Sequence, residues 1–206
     1  MEEPGYNKAA AVFTNNNLAI KTIPVDSDGL QVSLLPKSKT SCAIYTTPSH
    51  QFPTGVTMPL KRRLQLLDWA NKIGTYIIED DFDSELRYYA KPIPSLQSID
   101  VHNSVIYCGT FSKGLSPSIR MGYMILPPDL LKQYKIIFKN YNCTAPLLNQ
   151  YVIARLIETG LYDRHIRRMN IVFRKRLERF LTAFSLFKNT FEISSNGKRS
   201  VFLVKV

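Results

Sequence analysis

A lysine, Lys113, stands in the run GTFSKGLSPSIRMGYM (residues 109–124) among small and hydroxyl-bearing neighbours, and Arg120 follows it seven positions later. Gly109 and Gly114 let a ligand come close to the backbone. A lysine taken out of water gives up its proton more readily and becomes the amine that forms Schiff bases with carbonyls. The hydroxyls of Thr110 and Ser112, with the guanidinium of Arg120, suit a phosphate, because guanidinium can donate two parallel hydrogen bonds to it. These residues together describe a pocket for an aldehyde that carries a phosphate, and pyridoxal phosphate is such a molecule. The competing reading of Lys113 is a solvated charge on a loop.

Pyridoxal phosphate works as an electron sink only while its pyridine nitrogen stays protonated, which requires a nearby carboxylate. The stretch IIEDDFDSE (77–85) supplies Glu79, Asp80, Asp81 and Asp83 at the end of an apolar run. An unpaired carboxylate at Asp80 would be costly there, and a cation facing it removes the cost. The alternative is a solvated acidic turn with one member capping a helix. A third polar stretch, SHQFPTGVT (49–57), holds proline and glycine and no periodic signal.

Strands are expected at 18–25, 41–48, 75–81, 104–111 and 121–127, with a turn at DSDG (26–29) and two late strand-like runs at 190–194 and 200–206. Helices are expected at 9–13, from Pro59 to Gly74, and at about 129–140, 146–158 and 162–187. The second starts under a Thr57 cap, with Leu60, Leu64, Leu67 and Ala70 on one buried face and Gly74 as its stop. Short apolar strands alternating with helices indicate an α/β fold, a mostly parallel sheet covered by helices on both faces. Chemistry in such sheets gathers beyond the carboxyl ends of the strands, where all three polar stretches fall.

The bulk properties narrow the class. With 206 residues, 45% of them hydrophobic and 21% charged, the chain is of ordinary globular composition. No apolar run reaches the ~18–20 residues that span a bilayer, and the opening MEEPGYNK is too acidic for a signal peptide. Cys42, Cys108 and Cys143 show no paired spacing; the first two read as core residues in a reducing cytoplasm. His50, His102 and His165 lie too far apart in sequence to suggest a metal site. The net charge of +11 invites a nucleic-acid hypothesis. Much of it, however, lies in the amphipathic helix at 164–180, where Ile166, Met169, Phe173, Leu177, Phe180 and Phe184 make one stripe. Arg164, Arg167, Arg168, Arg174, Lys175 and Arg179 mostly fall off it and read as a solvated face.

EEPGY (2–6), TPSHQFPTG (47–55), IIEDDFDSE and SVIYCGTFSKGLSPSIRMGYM (104–124) resemble the fold-type-I, pyridoxal-phosphate-dependent aminotransferases of class I/II. The match is nearest to the aminotransferase-like domain of MocR/GabR regulators, which belong to the GntR superfamily of transcription factors. The resemblance implies that Lys113 forms the internal aldimine and is the catalytic residue. It implies further that Asp80 pairs with the pyridine nitrogen and that Thr110, Ser112 and Arg120 hold the phosphate. Phe82 stands where the family often has a tyrosine touching the ring hydroxyl, and Phe52 where ordinary class I enzymes have asparagine. Tyr6 and Lys8 match positions that contact the amino-acid ligand, the second being arginine in the GABA-responsive regulator; lysine is a poorer bidentate clamp.

On this resemblance, residues 1–140 are an incomplete cofactor-binding large domain, and 141–206 are long helices and the beginning of an α+β small domain. The chain is expected to be a cytoplasmic fragment, with Met1 an internal methionine. It would sense an amino acid or amine as a homodimer and contact DNA only through an N-terminal winged helix that it lacks. A free-standing aminotransferase is the alternative, and a basic interaction module without cofactor is the third reading.

Overall fold

The computed structural model describes residues 1–38, 43–86 and 93–185, and the backbone of two short strands at 192–194 and 203–205. Cys42 and the flanks of the two late strand-like runs lie outside the described residues.

Four strands form the central sheet. β4 (Ala43–Thr46), β5 (Tyr76–Asp81) and β6 (Val105–Thr110) run parallel, and β7 (Gly122–Ile125) closes the edge antiparallel to β6. Their β-branched and aromatic residues suit a pleated, buried surface. Register pairs Thr46 with Glu79, and Asp81 with Gly109. The three parallel strands therefore end at one level, and the polar stretches that follow them lie side by side. A smaller sheet is built from β1 (Glu2–Glu3), β2 (Ile23–Asp26) and β3 (Gly29–Leu30). Of the strand expected over 18–25, only Ile23–Val25 pair, continuing to Asp26. The chain then reverses at Gly29, whose φ of +90° suits glycine, with the Asp28 amide on Asp26 Oδ1.

α2 (Leu60–Ile73) connects β4 to β5 and stops, as expected, at Gly74 in the left-handed conformation. Its buried face differs from the expected one. Leu60 and Leu64 are 45% and 51% exposed, whereas Arg63, Leu66, Leu67 and Ala70 are buried. The last three pack on Ile44, Ile77, Val105 and Leu96, the last from the short α3 (Leu96–Ile99). Hydrophobic periodicity misplaces this face because a guanidinium occupies the centre. Arg63 donates from Nε to the Met58 carbonyl (3.1 Å), and from its terminal nitrogens to Pro94 and Pro48 (both 2.9 Å). It also lies 3.6 Å from Glu79, both side chains being fully buried. Glu79 in turn accepts the amides of Leu96 and Gln97, at 2.9 Å each. Thr57 does not cap α2; its hydroxyl donates to the Ser49 carbonyl, and Pro59 stands at the N-cap.

The second face of the sheet carries Tyr45, Ile78, Ile106 and Met124. Among the described residues only part of it is covered, by α1 (Asn7–Asn15), whose Phe13 meets Tyr45 edge-on. Ile78 and Ile106 are half-buried and Met124 is half-exposed. Beyond β7 come α4 (Pro128–Ile137), α5 (Leu147–Glu158) and α6 (Leu161–Phe184). On α6, Leu177 is buried against Leu86, with Met169, Phe173 and Leu181 beside them. Phe180, expected on this stripe, is 42% exposed, and Leu181 takes its place. The six basic residues named above are exposed, Cys108 is half-buried and Cys143 is exposed.

Arg63→Met leaves Glu79 buried without its cation and three carbonyls without a donor. We expect a loss of about 3–5 kcal/mol in unfolding free energy, measured as a lower denaturant midpoint at unchanged m.

Candidate functional site

Five of the seven residues in EDDFDSE are acids, and each is held by a different element. Glu79 faces Arg63 of α2 and the first amides of α3. Asp80 accepts a very short hydrogen bond at Oδ2 from the hydroxyl of Tyr45 on β4. Asp81 accepts one from Tyr107 on β6 (2.7 Å) and another from the Ser84 amide (3.1 Å). Asp83 meets His50 Nδ1 from the 47–57 loop at 2.6 Å, both side chains buried. Glu85 accepts from Tyr162 on α6. A solvated acidic turn is excluded, since Glu79, Asp81 and Asp83 are 0%, 7% and 4% exposed. Burial pushes the carboxyls of Glu79 and Asp80 above the usual range. For Asp80, the Tyr45 bond works against burial, and the charges of Asp81 and Asp83 add to it.

A sixth buried acid, Glu2, escaped the sequence reading. It accepts from the Thr46 hydroxyl (2.5 Å), the Thr47 hydroxyl (2.8 Å) and the Thr47 amide. Gln51 donates to the Pro4 and Phe52 carbonyls. Together they tie EEPGY to the end of β4, and Tyr6 stands edge-on to Phe52 with centroids 5.5 Å apart. Lys8, on the first turn of α1, is exposed. The only trace of Glu2 in the sequence was its place beside a motif.

One cleft is walled by Phe82 and Asp83 on one side, Thr110 and Lys113 on another, and Tyr107 and Tyr123 between. Phe82 also stacks on His50, with centroids 5.8 Å apart. Asp80 lies at the same strand end, but alternation along β5 turns it to the opposite face from Asp81. Lys113 is exposed at the mouth of the cleft, so the desolvation expected for it is not supplied by the described residues. Thr110 Oγ1 accepts the Ser112 amide at 3.2 Å. Arg120 follows a 3-10 turn (Pro117–Ile119) with φ of +47°, exposed and without a hydrogen bond or ion pair to another described residue. A non-glycine residue held in this region carries backbone strain, which persists where something else requires the position.

The Lys113 loop is also latched to α6. Gly114 has no space for a Cβ, which would come within 2.8 Å of Glu85 Oε2 and Ile166 Cδ1. His165 Nε2 donates to the Gly114 carbonyl (2.9 Å), and Asn170 to that of Glu85 (3.0 Å). No His/Cys/Asp/Glu group among the described residues could hold a metal ion, and no helix there is long and apolar enough to cross a membrane. The donors present fit a phosphate-bearing aldehyde with a cationic ring: an amine, a guanidinium without a partner, hydroxyls, and a half-buried carboxylate with one oxygen taken.

Two variants test these readings without ligand. Arg120→Gly relieves the left-handed strain and should raise unfolding free energy by about 1 kcal/mol. Asp80 holds its proton to higher pH folded than unfolded, so its contribution to stability falls as pH rises from its unfolded value, about 4, through its raised folded one. That part of the fall should be missing from pH-dependent denaturation of Asp80→Asn; Glu2 and Glu79, whose carboxyls are raised likewise, keep theirs.

Comparison with known proteins agrees with this geometry. The family model for aminotransferase class I and II matches residues 1–198. Over 175 residues the chain is 45% identical to the uncharacterized HTH-type transcriptional regulator YdeL of Bacillus subtilis, covering 85% of this chain and 38% of that protein. Over 183 residues it is 36% identical to the probable rhizopine catabolism regulatory protein MocR of Rhizobium meliloti, covering 88% of this chain and 36% of the relative. The chain thus spans well under half the length of these curated relatives. Among solved structures, the multiple substrate aminotransferase of Thermococcus profundus superposes with a TM-score of 0.88 at 29% identity, over 100% of this chain and 53% of that one.

Proposed function

Because the chain belongs to the class I and II aminotransferase family, we propose that it is the cofactor-binding, effector-sensing part of a MocR/GabR-type transcriptional regulator. The observation that carries this reading is its 45% and 36% identity to HTH-type and MocR regulators across most of its length. Phe52 and Phe82 add to it, since neither can give the cofactor a hydrogen bond.

The cofactor is pyridoxal 5′-phosphate, which when bound supplies an electron sink and a carbonyl that exchanges between amines. In this reading Lys113 holds the aldehyde, and Asp80 holds the proton on the pyridine nitrogen. Thr110, Ser112 and Arg120 hold the phosphate, Arg120 with a guanidinium that no described residue uses. Phe82 packs against the ring, backed by His50. Tyr6 and Lys8 offer an aromatic wall and a single cation to an amino compound with a carboxylate. A homodimer belongs to this reading, because Lys113 is exposed in one copy and a second copy would shield it. DNA contact is assigned to the part of the whole protein that corresponds to the relatives' HTH region.

The structural match to the Thermococcus profundus enzyme supports a second reading, a class I/II aminotransferase. There Lys113 would also carry a proton between substrate carbon and cofactor.

The full-length protein with pyridoxal phosphate should show a visible absorption band that is absent in Lys113→Ala. Borohydride reduction should leave the cofactor's mass on the peptide containing Lys113. An amino acid that shifts the band once, without steady release of 2-oxo acid, identifies a sensor; continuous release identifies an enzyme. A wild type with no band would refute both readings.

A further inference from the structure

We propose that Tyr45 is a positioning residue for the pyridine nitrogen of the cofactor, acting through Asp80. The inference rests on the cofactor reading above and adds a residue to it.

Tyr45 lies on β4 opposite Ile78 of β5, on the same face of the sheet, so its hydroxyl reaches the carboxylate two residues further along. It donates to Asp80 Oδ2. The other oxygen, Oδ1, has no hydrogen-bond partner among the described residues. One oxygen is therefore fixed and its twin is left for a second donor, as a protonated ring nitrogen would be. The bond is held firmly. Tyr45 is 7% exposed, and its ring meets Phe13 edge-on with centroids 5.9 Å apart. The hydroxyl also stays a donor, since burial and the neighbouring Asp80 push its own ionisation up.

The chemistry gives this bond a function. To hold a pyridinium, Asp80 must be ionised; a neutral carboxyl would be a poor counter-charge. Burial favours the neutral form, and so do the charges of Asp81 and Asp83. The Tyr45 hydroxyl opposes them, because a hydrogen bond donated to a carboxylate stabilises its charge. The other titratable groups facing this pair are Cys108, opposite Asp80 on β6, and Glu2 and Tyr6, which act on Tyr45. None of the groups named here is a cation. Within the described chain, Tyr45 is thus the group that hydrogen-bonds Asp80 in its charged form.

The test is Tyr45→Phe in the full-length protein, which keeps the ring packing and removes only the hydroxyl. Affinity for pyridoxal phosphate, followed by the visible band, should fall about tenfold, the usual size of one charge-assisted hydrogen bond. The loss should be larger at pH 6 than at pH 8.5, where Asp80 ionises without help. In an Asp80→Asn background the same substitution should add nothing, because its effect passes through that carboxylate. A fluorinated tyrosine at position 45, of nearly the same shape and a stronger donor, should shift affinity and band the opposite way. Equal losses in both backgrounds, or no change in affinity in folded Tyr45→Phe, overturn the proposal and leave the cofactor reading standing. A wild type with no band overturns the cofactor reading first.

Discussion

Five carboxylates within seven residues, brought to the end of a buried strand, cannot be left to repel one another out of water. Each needs its own partner, and the fold is arranged to supply five. A guanidinium comes from α2, phenols come from β4, β6 and α6, and an imidazole comes from the loop after β4. The pairs point in different directions because β5 alternates its side chains, so every neighbouring element is tied to one short segment. The acidic run is therefore less a feature on the sheet than the node on which the sheet's carboxyl edge is assembled.

That arrangement explains how a polar, like-charged site survives in a small sheet. Only one of the five partners, Arg63, is a permanent cation, and it serves the acid farthest from the cleft. The others are neutral donors or an imidazole, which steady the carboxylates without cancelling their charge. A field of negative potential is left at the strand ends, suited to a ligand with a cationic ring. The strain at Arg120 and the raised carboxyl of Asp80 have the same sense: both weigh on the free protein at positions that a phosphate and a pyridinium would relieve.

Much of this was legible in the sequence. Apolar strands ending in polar stretches gave their own order, and Gly74 marked the end of α2 because only glycine takes that conformation freely. The three motifs fell at one edge of the sheet because parallel strands must end together. Other features were hidden for definite reasons. The buried face of α2 was missed because a charged residue is read as exposed, while Arg63 satisfies four groups at once. Glu2 was missed because its partners lie more than forty residues away, in β4 and the loop after it. Phe180 and Leu181 exchanged roles on α6, as adjacent apolar residues at the margin of a stripe can. The backbone of Arg120 has no signature in composition at all.

The latch between Gly114 and α6 has a mechanical consequence. α6 is a continuous 24-residue helix, about 36 Å long at the usual rise, and the Lys113 loop grips it near one end, through Tyr162, His165 and Asn170. A stiff rod held near its end works as a pointer: a tilt of about five degrees at the grip would carry the far tip through roughly 3 Å over such a length. What happens to the lysine loop is thus reported, with gain, at a point remote from the chemistry.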